Sequence, residues 1–393
     1  MSFLKGVKVV DFTHAYAGPF CTMSLCDYGA EVIKVERVDT GDQTRSWGPF
    51  KNGHSAYYCS FNRGKKNITI NIASKEGQEI IFELVKDADI VCSNFKAGTL
   101  EKYGIGYEDI KKIKPDVIYA SLSGYGNRGE IASHPAYDNV VQAMSGVMDL
   151  NGFPGKRPTK IGPAIGDSYS GLMLLLGVMA AFYHRQQTGE GQKVDVTMLG
   201  SLYTLSEYPI LEYANHGKMF TRNGNRSMYY APGDVYKTKE GYVALSVKNN
   251  AMWKTFCDVL DLPGLCLHSD YIDNDARLAN SEKLTSELEK VFAAMTADEI
   301  EKAFENTEVP VAAVMGIVEA LDDPHLNARN MVIEVDDPGV GNVKLVGNPI
   351  RLSGIAPRLD LGSPLFGEDT TTMLADLGYS EERIKEAQQK CII

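Results

Sequence analysis

Four short runs of β-branched and aliphatic residues, Val7–Phe12, Glu31–Glu36, Asp89–Asn94 and Val117–Leu122, alternate with helix-like segments such as Pro19–Tyr28 and Lys75–Lys86. Strands separated by helices cannot close as hairpins. The crossovers bring them back side by side in one direction, with helices covering both faces. The first half of the chain is therefore expected to be α/β, with a parallel, doubly wound sheet. A helix over Gly171–Gln187, closed by Gly189, and a strand over Lys193–Met198 extend the pattern. The composition then shifts to a Tyr- and Asn-rich stretch around 215–230. Residues 234–247 (DVYKTKEGYVALSV) read as a hairpin turning at Glu240–Gly241, and helices follow near 250–260, 282–294 and 297–305. The expected division is the N-terminal part of a large domain over 1–215, a small α+β domain over 226–325, and a C-terminal part over 330–393 that returns to strand and helix patterns.

Several classes are disfavoured. The 40 Lys and Arg against 51 Asp and Glu give a net charge of -11, which argues against a nucleic-acid partner. No signal-peptide pattern follows Met1, and the most apolar window, Gly171–Tyr183, spans 13 residues against the roughly 20 needed to cross a bilayer. We read that window as a buried core helix and expect no membrane partner. Seven scattered cysteines without a CxxC pair suit reduced thiols and a cytoplasmic location. Gly124, Gly126 and Gly129 spell G-x-G-x-x-G after a strand, but Pro135 interrupts the place where a phosphate-binding helix would start, so they read as a turn. No Walker-type, H-E-x-x-H or G-x-S-x-G motif occurs, and the seven histidines share no ligand spacing, so neither a metal nor a serine triad is expected.

The segment Gly162-Pro-Ala-Ile-Gly-Asp167-Ser-Tyr-Ser-Gly171 places one carboxylate between glycines at the mouth of the apolar helix. Taken alone, an N-cap aspartate is its simpler reading, and a reactive carboxylate is the alternative.

Further segments carry a resemblance. They are Asp11-Phe-Thr-His14-Ala-Tyr16-Ala17-Gly-Pro19, Gly29-Ala-Glu-Val-Ile-Lys-Val-Glu36-Arg37, Gly41-Asp42-x-Thr-Arg45, Asn62-Arg63-Gly-Lys-Lys66, Asn94-Phe95, Ser123-Gly-Tyr125-Gly and Gly166-Asp167-x-x-x-Gly171. Together they resemble the family III CoA-transferases, the group of formyl-CoA:oxalate, acetyl-CoA:oxalate and carnitine CoA-transferases. The resemblance implies a ring-like chain in an intertwined homodimer, with a Rossmann-like large domain completed by the C-terminal part. It puts the catalytic carboxylate on Asp167. The CoA contacts it implies fall on Tyr16, Ala17, Arg37, the Ile70–Ala73 stretch, Asn94, Phe95, Lys96, Lys102, Ser123 and Tyr125. Coenzyme A would be a substrate, with no permanently bound cofactor.

The residue chemistry is compatible with that assignment. A 3′-phosphate and pyrophosphate need cations, which Arg37 and Lys102 can provide, while Phe95 offers an apolar surface to the adenine. The formyl-CoA:oxalate members carry a glutamine where this chain has Tyr16, and a glycine-run lid where it has Thr221–Arg226. His14, Trp47, Tyr57 and Arg226 are candidate substrate-pocket residues, suited to a short polar mono- or dicarboxylate such as oxalate or succinate. An α-methylacyl-CoA racemase would share the fold, but its catalytic histidine aligns with Tyr137, and a phenol is a poor base for that role. A non-catalytic acyl-CoA-binding protein is the other alternative.

Overall fold

The computed structural model describes residues 2–393 and divides into two compact units. The first contains the chain up to Met148, Lys160–Gly217 and Pro324–Ile393. Its centre is a six-stranded sheet of β1 (Lys8–Asp11), β2 (Glu31–Glu36), β3 (Lys66–Thr69), β4 (Ile90–Ser93), β5 (Ile118–Ser123) and β6 (Lys193–Thr197). The spatial order is β3-β2-β1-β4-β5-β6, and every neighbouring pair is parallel. This is the doubly wound order, in which the chain first winds outward from β1 and then crosses back to β4. At such a switch point open α/β sheets carry a ligand crevice beyond the carboxyl ends of the strands.

Successive residues of each strand face opposite sides. Val9, Val32 and Ile90 join one buried core, Val10, Ile33 and Val91 the other. The first core packs beneath α1 (Ala17–Asp27) and a later long helix; the second packs beneath α3 (Lys75–Lys86). Between them in the chain lies α2 (Ala56–Asn62), and after β5 come α4 (Asp138–Met144), α5 (Ile165–Thr188), α6 (Met198–Thr204) and α7 (Glu207–His216). The long helix α5 has 24 residues and begins six positions before the apolar window suggested. It is also not buried all round. Gly166, Ser170, Gly171, Leu174, Val178, Ala181 and Arg185 face inward, whereas Leu172, Leu176 and Tyr183 are exposed.

The second unit comprises Asp149–Thr159 and Lys218–Asp323. Its antiparallel sheet, β7 (Gly233–Lys237), β8 (Tyr242–Ser246) and β9 (Val311–Ala313), has the order β9-β8-β7. The hairpin turn between β7 and β8 is held by the Thr238 hydroxyl donating to the Glu240 carbonyl at 2.7 Å. Helices α8 (Asn250–Val259), α9 (Ser281–Phe292) and α10 (Ala297–Phe304) cover the sheet through Trp253, Phe256, Phe292 and Phe304. Residues 149–159 group with this unit because Gly224 N–H donates to Gly152 O at 2.8 Å and Arg222 pairs with Asp149.

The returning segment Pro324–Ile393 carries the hairpin β10 (Val332–Asp337) and β11 (Gly341–Val346) and the helix α11 (Thr370–Asp376). It closes the β3 edge of the large sheet. Asn67 N–H donates to the Asp369 carboxylate at 2.7 Å, Thr69 N–H to the Thr370 hydroxyl at 3.1 Å, and Asn71 N–H to Ile392 O at 2.7 Å.

Candidate active site

The loop leaving β1 is fixed by buried charge. Asp11 accepts from Thr13 N–H at 2.8 Å, from the Thr22 hydroxyl at 2.8 Å and from Lys65 Nζ at 3.0 Å, and the Asp11–Lys65 pair is fully buried. Lys34 donates to Thr13 O at 2.7 Å and pairs with Asp42 at 2.8 Å, again without exposure. Burial alone would push the Asp42 carboxyl up, but the Lys34 ammonium and the donors of Thr44 hold it well below the usual carboxylate range. Asp42 also accepts from Ala15 N–H at 3.3 Å, which helps keep Ala15 at φ 64°. A non-glycine residue in that region needs such support. The loop therefore has one backbone path past the crevice.

Asn94, which follows β4, clamps the same loop. His14 N–H donates to Asn94 Oδ1 at 2.8 Å, and Asn94 Nδ2 donates to His14 O at 2.7 Å. The His14 and Phe95 rings lie 4.9 Å apart. Burial lowers the His14 pKa against the opposing charge of Asp42, so the imidazole is neutral at pH 7. Its Nδ1 is buried and has no hydrogen-bond partner among the described residues. The rings border a cleft of about 490 Å³ lined also by Phe12, Arg37, Asp42 and Gln43.

Asp167 stands in the first turn of α5. The cap residue is Ala164, which makes no side-chain cap bond, so Asp167 is the third helical residue and not the N-cap. Four residues later Gly171 lies on the same helix face. A Cβ on Gly171 would come within 2.5 Å of Ala17 O, so only glycine lets α5 cross α1 this closely. Ala17 is the first residue of α1, and Tyr16 precedes it. The Asp-x-x-x-Gly spacing thus brings the carboxylate to the head of α1. No hydrogen bond reaches the Asp167 carboxylate among the described residues. Burial, followed by the charge of Asp138, pushes its carboxyl up to about 7.

An aromatic group lies beside it. Tyr16 and Phe61 are 4.2 Å apart, Tyr57 and Phe61 5.2 Å, and Trp47 and Tyr57 5.6 Å, measured between ring centroids. Burial and then the neighbouring Tyr16 and Asp167 push the Tyr57 phenol up to about 12. Burial and then Asp167 likewise raise Tyr16. Both phenols remain protonated at neutral pH and can donate a hydrogen bond to an anion.

The other residues singled out from the sequence are placed unevenly. Lys96 and Lys102 are exposed on the segment after β4, and neither is ion-paired among the described residues. Arg37 borders the cleft but holds Asp39 through two bonds of 3.1 and 2.7 Å. Ala73 is exposed, and its N–H donates to the Asn71 side chain. Ala17 is buried against α5. Ser123 uses its hydroxyl to accept from Gly126 N–H at 2.9 Å, and the Tyr125 hydroxyl reaches Pro135 O at 3.5 Å, so the glycine-rich segment is a turn. Ile70 is 1% exposed in the core, and its N–H donates to Glu36 O at 2.9 Å. Arg226 belongs to the second unit, where it faces Asp234 and Glu282 at 3.7 Å each. Thr221–Arg226 lies in that unit too, pinned by the Gly224–Gly152 bond.

Two neighbours of the site escaped the sequence reading. Phe61 was detectable as the i+4 partner of Tyr57 on one helix. Asp138 was not, because its approach to Asp167 depends on where α4 meets α5.

Comparison with known proteins agrees with this arrangement. The family model described as CoA-transferase family III matches residues 4–370. The succinyl-CoA:mesaconate CoA-transferase of Haloarcula marismortui is 36% identical over 388 residues, which cover 96% of this chain and 97% of that one. The acetyl-CoA:oxalate CoA-transferase of Acetobacter aceti is 36% identical over 380 residues, 96% of each chain. Among solved structures, a CAIB/BAIF family protein from Brucella suis superposes with a TM-score of 0.87 at 35% identity, covering 96% of this chain and 99% of that one. With the doubly wound sheet, the clamped crevice and a carboxylate at the head of α5, these matches establish that the chain is an enzyme of CoA-transferase family III.

Proposed function

We propose that the protein moves coenzyme A from an acyl-CoA to a free carboxylate through a covalent thioester on Asp167. The observation that carries this reading is the carboxylate itself, which stands in the first turn of α5 without capping the helix and without a hydrogen-bond partner among the described residues. A carboxylate that only stabilised its helix would spend its oxygens on backbone donors.

In the first step an Asp167 oxygen attacks the thioester carbonyl. The C–S bond breaks, leaving a mixed anhydride and the CoA thiolate. The thiolate attacks the aspartyl carbonyl carbon and expels the donor acid as a carboxylate, which leaves an aspartyl-CoA thioester. The acceptor carboxylate then attacks that carbon, CoA leaves as thiolate, and its attack on the acceptor acyl carbon releases the new acyl-CoA and regenerates Asp167. Each step exchanges one acyl bond for another, so no net proton or electron is needed. Of the backbone donors at the head of α5 that could stabilise the developing oxyanions, Gly166 N–H is bound to Asp138 and Ser168 N–H to Ala164 O. The protonated Tyr57 phenol takes that role instead.

The cleft bordered by the His14 and Phe95 rings receives CoA, with His14, Asn94 and Phe95 beside the pantetheine or adenine and Lys96 and Lys102 toward the phosphates. The named relatives act on succinyl, mesaconyl, acetyl and oxalyl groups, which supports a short polar mono- or dicarboxylate as acceptor. A second copy of the chain covers the outer faces of α5 and α7, because Leu176 and Tyr183 are 61% and 69% exposed and α7 buries none of its own residues.

The test is chemical. Incubation with an acyl-CoA and then hydroxylamine should inactivate the enzyme and modify the peptide containing Asp167, while enzyme without donor keeps its activity. Asp167→Asn should lower transfer by ~10³-fold or more with acyl-CoA binding retained. Labelling of a different carboxylate, or near wild-type transfer by Asp167→Asn, would sink the assignment.

A further inference from the structure

At the head of α5 two carboxylates compete for one place, and the structure gives it to the one that is not the proposed nucleophile. Asp138, the first residue of α4, accepts from Gly166 N–H at 2.7 Å through Oδ1. Its other oxygen accepts from Gln142 Nε2 at 2.8 Å. Gln142 is fully buried, and its own amide oxygen is taken by Ile161 N–H at 2.8 Å. That third bond fixes which way the amide points, so Gln142 can only present its NH₂ to Asp138. Two donors therefore converge on two oxygens of one side chain. A carboxylate accepts both, whereas an asparagine could accept only one and would turn its own NH₂ against the other donor. Gly166 completes the fit, since a Cβ there would sit 2.8 Å from Asp138 Oδ1.

We propose that Asp138, braced by Gln142, is a positioning residue of the transfer reaction that caps α5 in place of Asp167 and leaves the Asp167 carboxylate free to attack. The inference rests on Asp167 being the nucleophile. Its consequence is electrostatic as well as geometric. Asp138 is the charged group that acts on Asp167; Tyr16 at the head of α1 and Tyr57 on α2 also face it, as neutral phenols. The remaining elements packed on α5 bring Tyr119, Lys193, Asp195 and Tyr203, and none of these contributes to the Asp167 shift. A like charge raises the energy of the free Asp167 carboxylate, and the repulsion disappears once Asp167 is acylated and neutral. Asp138 therefore favours both the more basic nucleophile and the covalent intermediate over the free enzyme.

The experiment uses the full-length enzyme, acetyl- or succinyl-CoA and hydroxylamine trapping. Asp138→Asn removes the charge and one acceptor. The acid limb of kcat/KM against pH, which reports the free enzyme, is expected to move down by about one unit. At pH 9, where Asp167 is ionised in both enzymes, kcat should fall about 10-fold or more, and the trapped Asp167 fraction at equilibrium should drop, with the KM for acyl-CoA changed less than about threefold. Gln142→Met keeps the charge but removes the brace, so kcat should fall while the limb does not move down. This second variant also decides the matter if Asp138→Asn does not fold, because wild-type kcat in Gln142→Met overturns the positioning role. Wild-type limb and kcat in Asp138→Asn overturn it as well, and so does a loss confined to thermal stability, which would mark an ordinary cap. Absence of any Asp167 adduct in the wild-type enzyme is a different result, since it removes the nucleophile assignment itself.

Discussion

A carboxyl raised to about 7 in the folded protein and near 3.8 in the unfolded chain has a consequence for stability. Between those values the native state holds a proton that the unfolded state has lost, so stability falls as pH rises through the window and the loss is complete above about 7. Asp167→Asn is expected to have a melting temperature above wild type by a few degrees at pH 8. The gap should shrink toward pH 4 and stay flat above pH 7, and calorimetry across pH 4–9 measures it. A gap independent of pH would mean that the Asp167 carboxyl is not raised. At this scale the sequence singled out candidate residues but not how they are paired. The Asp167 segment and the 14–17 and 94–95 segments stood out as residue types in a pattern. The Arg37–Asp39 pairing, the burial of Ile70 and the Asp138–Gln142 brace are consequences of side-chain direction, which no spacing rule fixes.

Between elements, the closest approach at the site is that of α5 to α1 at Gly171. Gly171→Ala places a methyl group 2.5 Å from Ala17 O, which is backbone and cannot rotate away. The helices must separate, at a cost of roughly 1–3 kcal/mol, and Asp167 moves with α5 away from Tyr16. Denaturant unfolding should show that loss, and kcat should fall by more than the KM for acyl-CoA rises; an unchanged midpoint and kcat would refute the close crossing. The strands with continuous apolar runs, β1, β2, β4 and β5, were legible within a residue or two. β3 was not, because its four residues KNIT carry three polar side chains and no apolar run. The start of α5 was also hidden, since Pro163 and Gly166 look like loop residues although proline is tolerated just before a helix and Gly166 makes room for Asp138.

For the whole molecule, the exposed faces of α5 and α7 lead to a definite expectation about mass. Sedimentation or light scattering at nanomolar concentration should give about twice 43.1 kDa. Leu176→Glu with Leu211→Glu should lower that mass to the monomer's or abolish soluble expression; a wild-type monomer with full activity would remove the second copy from the proposal. The division into a large α/β unit and a smaller α+β unit could be read from the change in periodicity, whereas the membership of residues 149–159 depends on the Gly224–Gly152 bond and the Arg222–Asp149 pair, which leave no mark in composition. The way the returning segment closes β3 matters for how such a chain is made. The partners Asn67 and Asp369 are 302 positions apart, so a ribosome releases β3 long before its cover exists. Until then the nascent sheet presents an open strand edge, the kind of surface that recruits chaperones or pairs with a neighbouring polypeptide. Folding yield in cells should therefore depend on translation speed through the second unit more than on any residue of the active site.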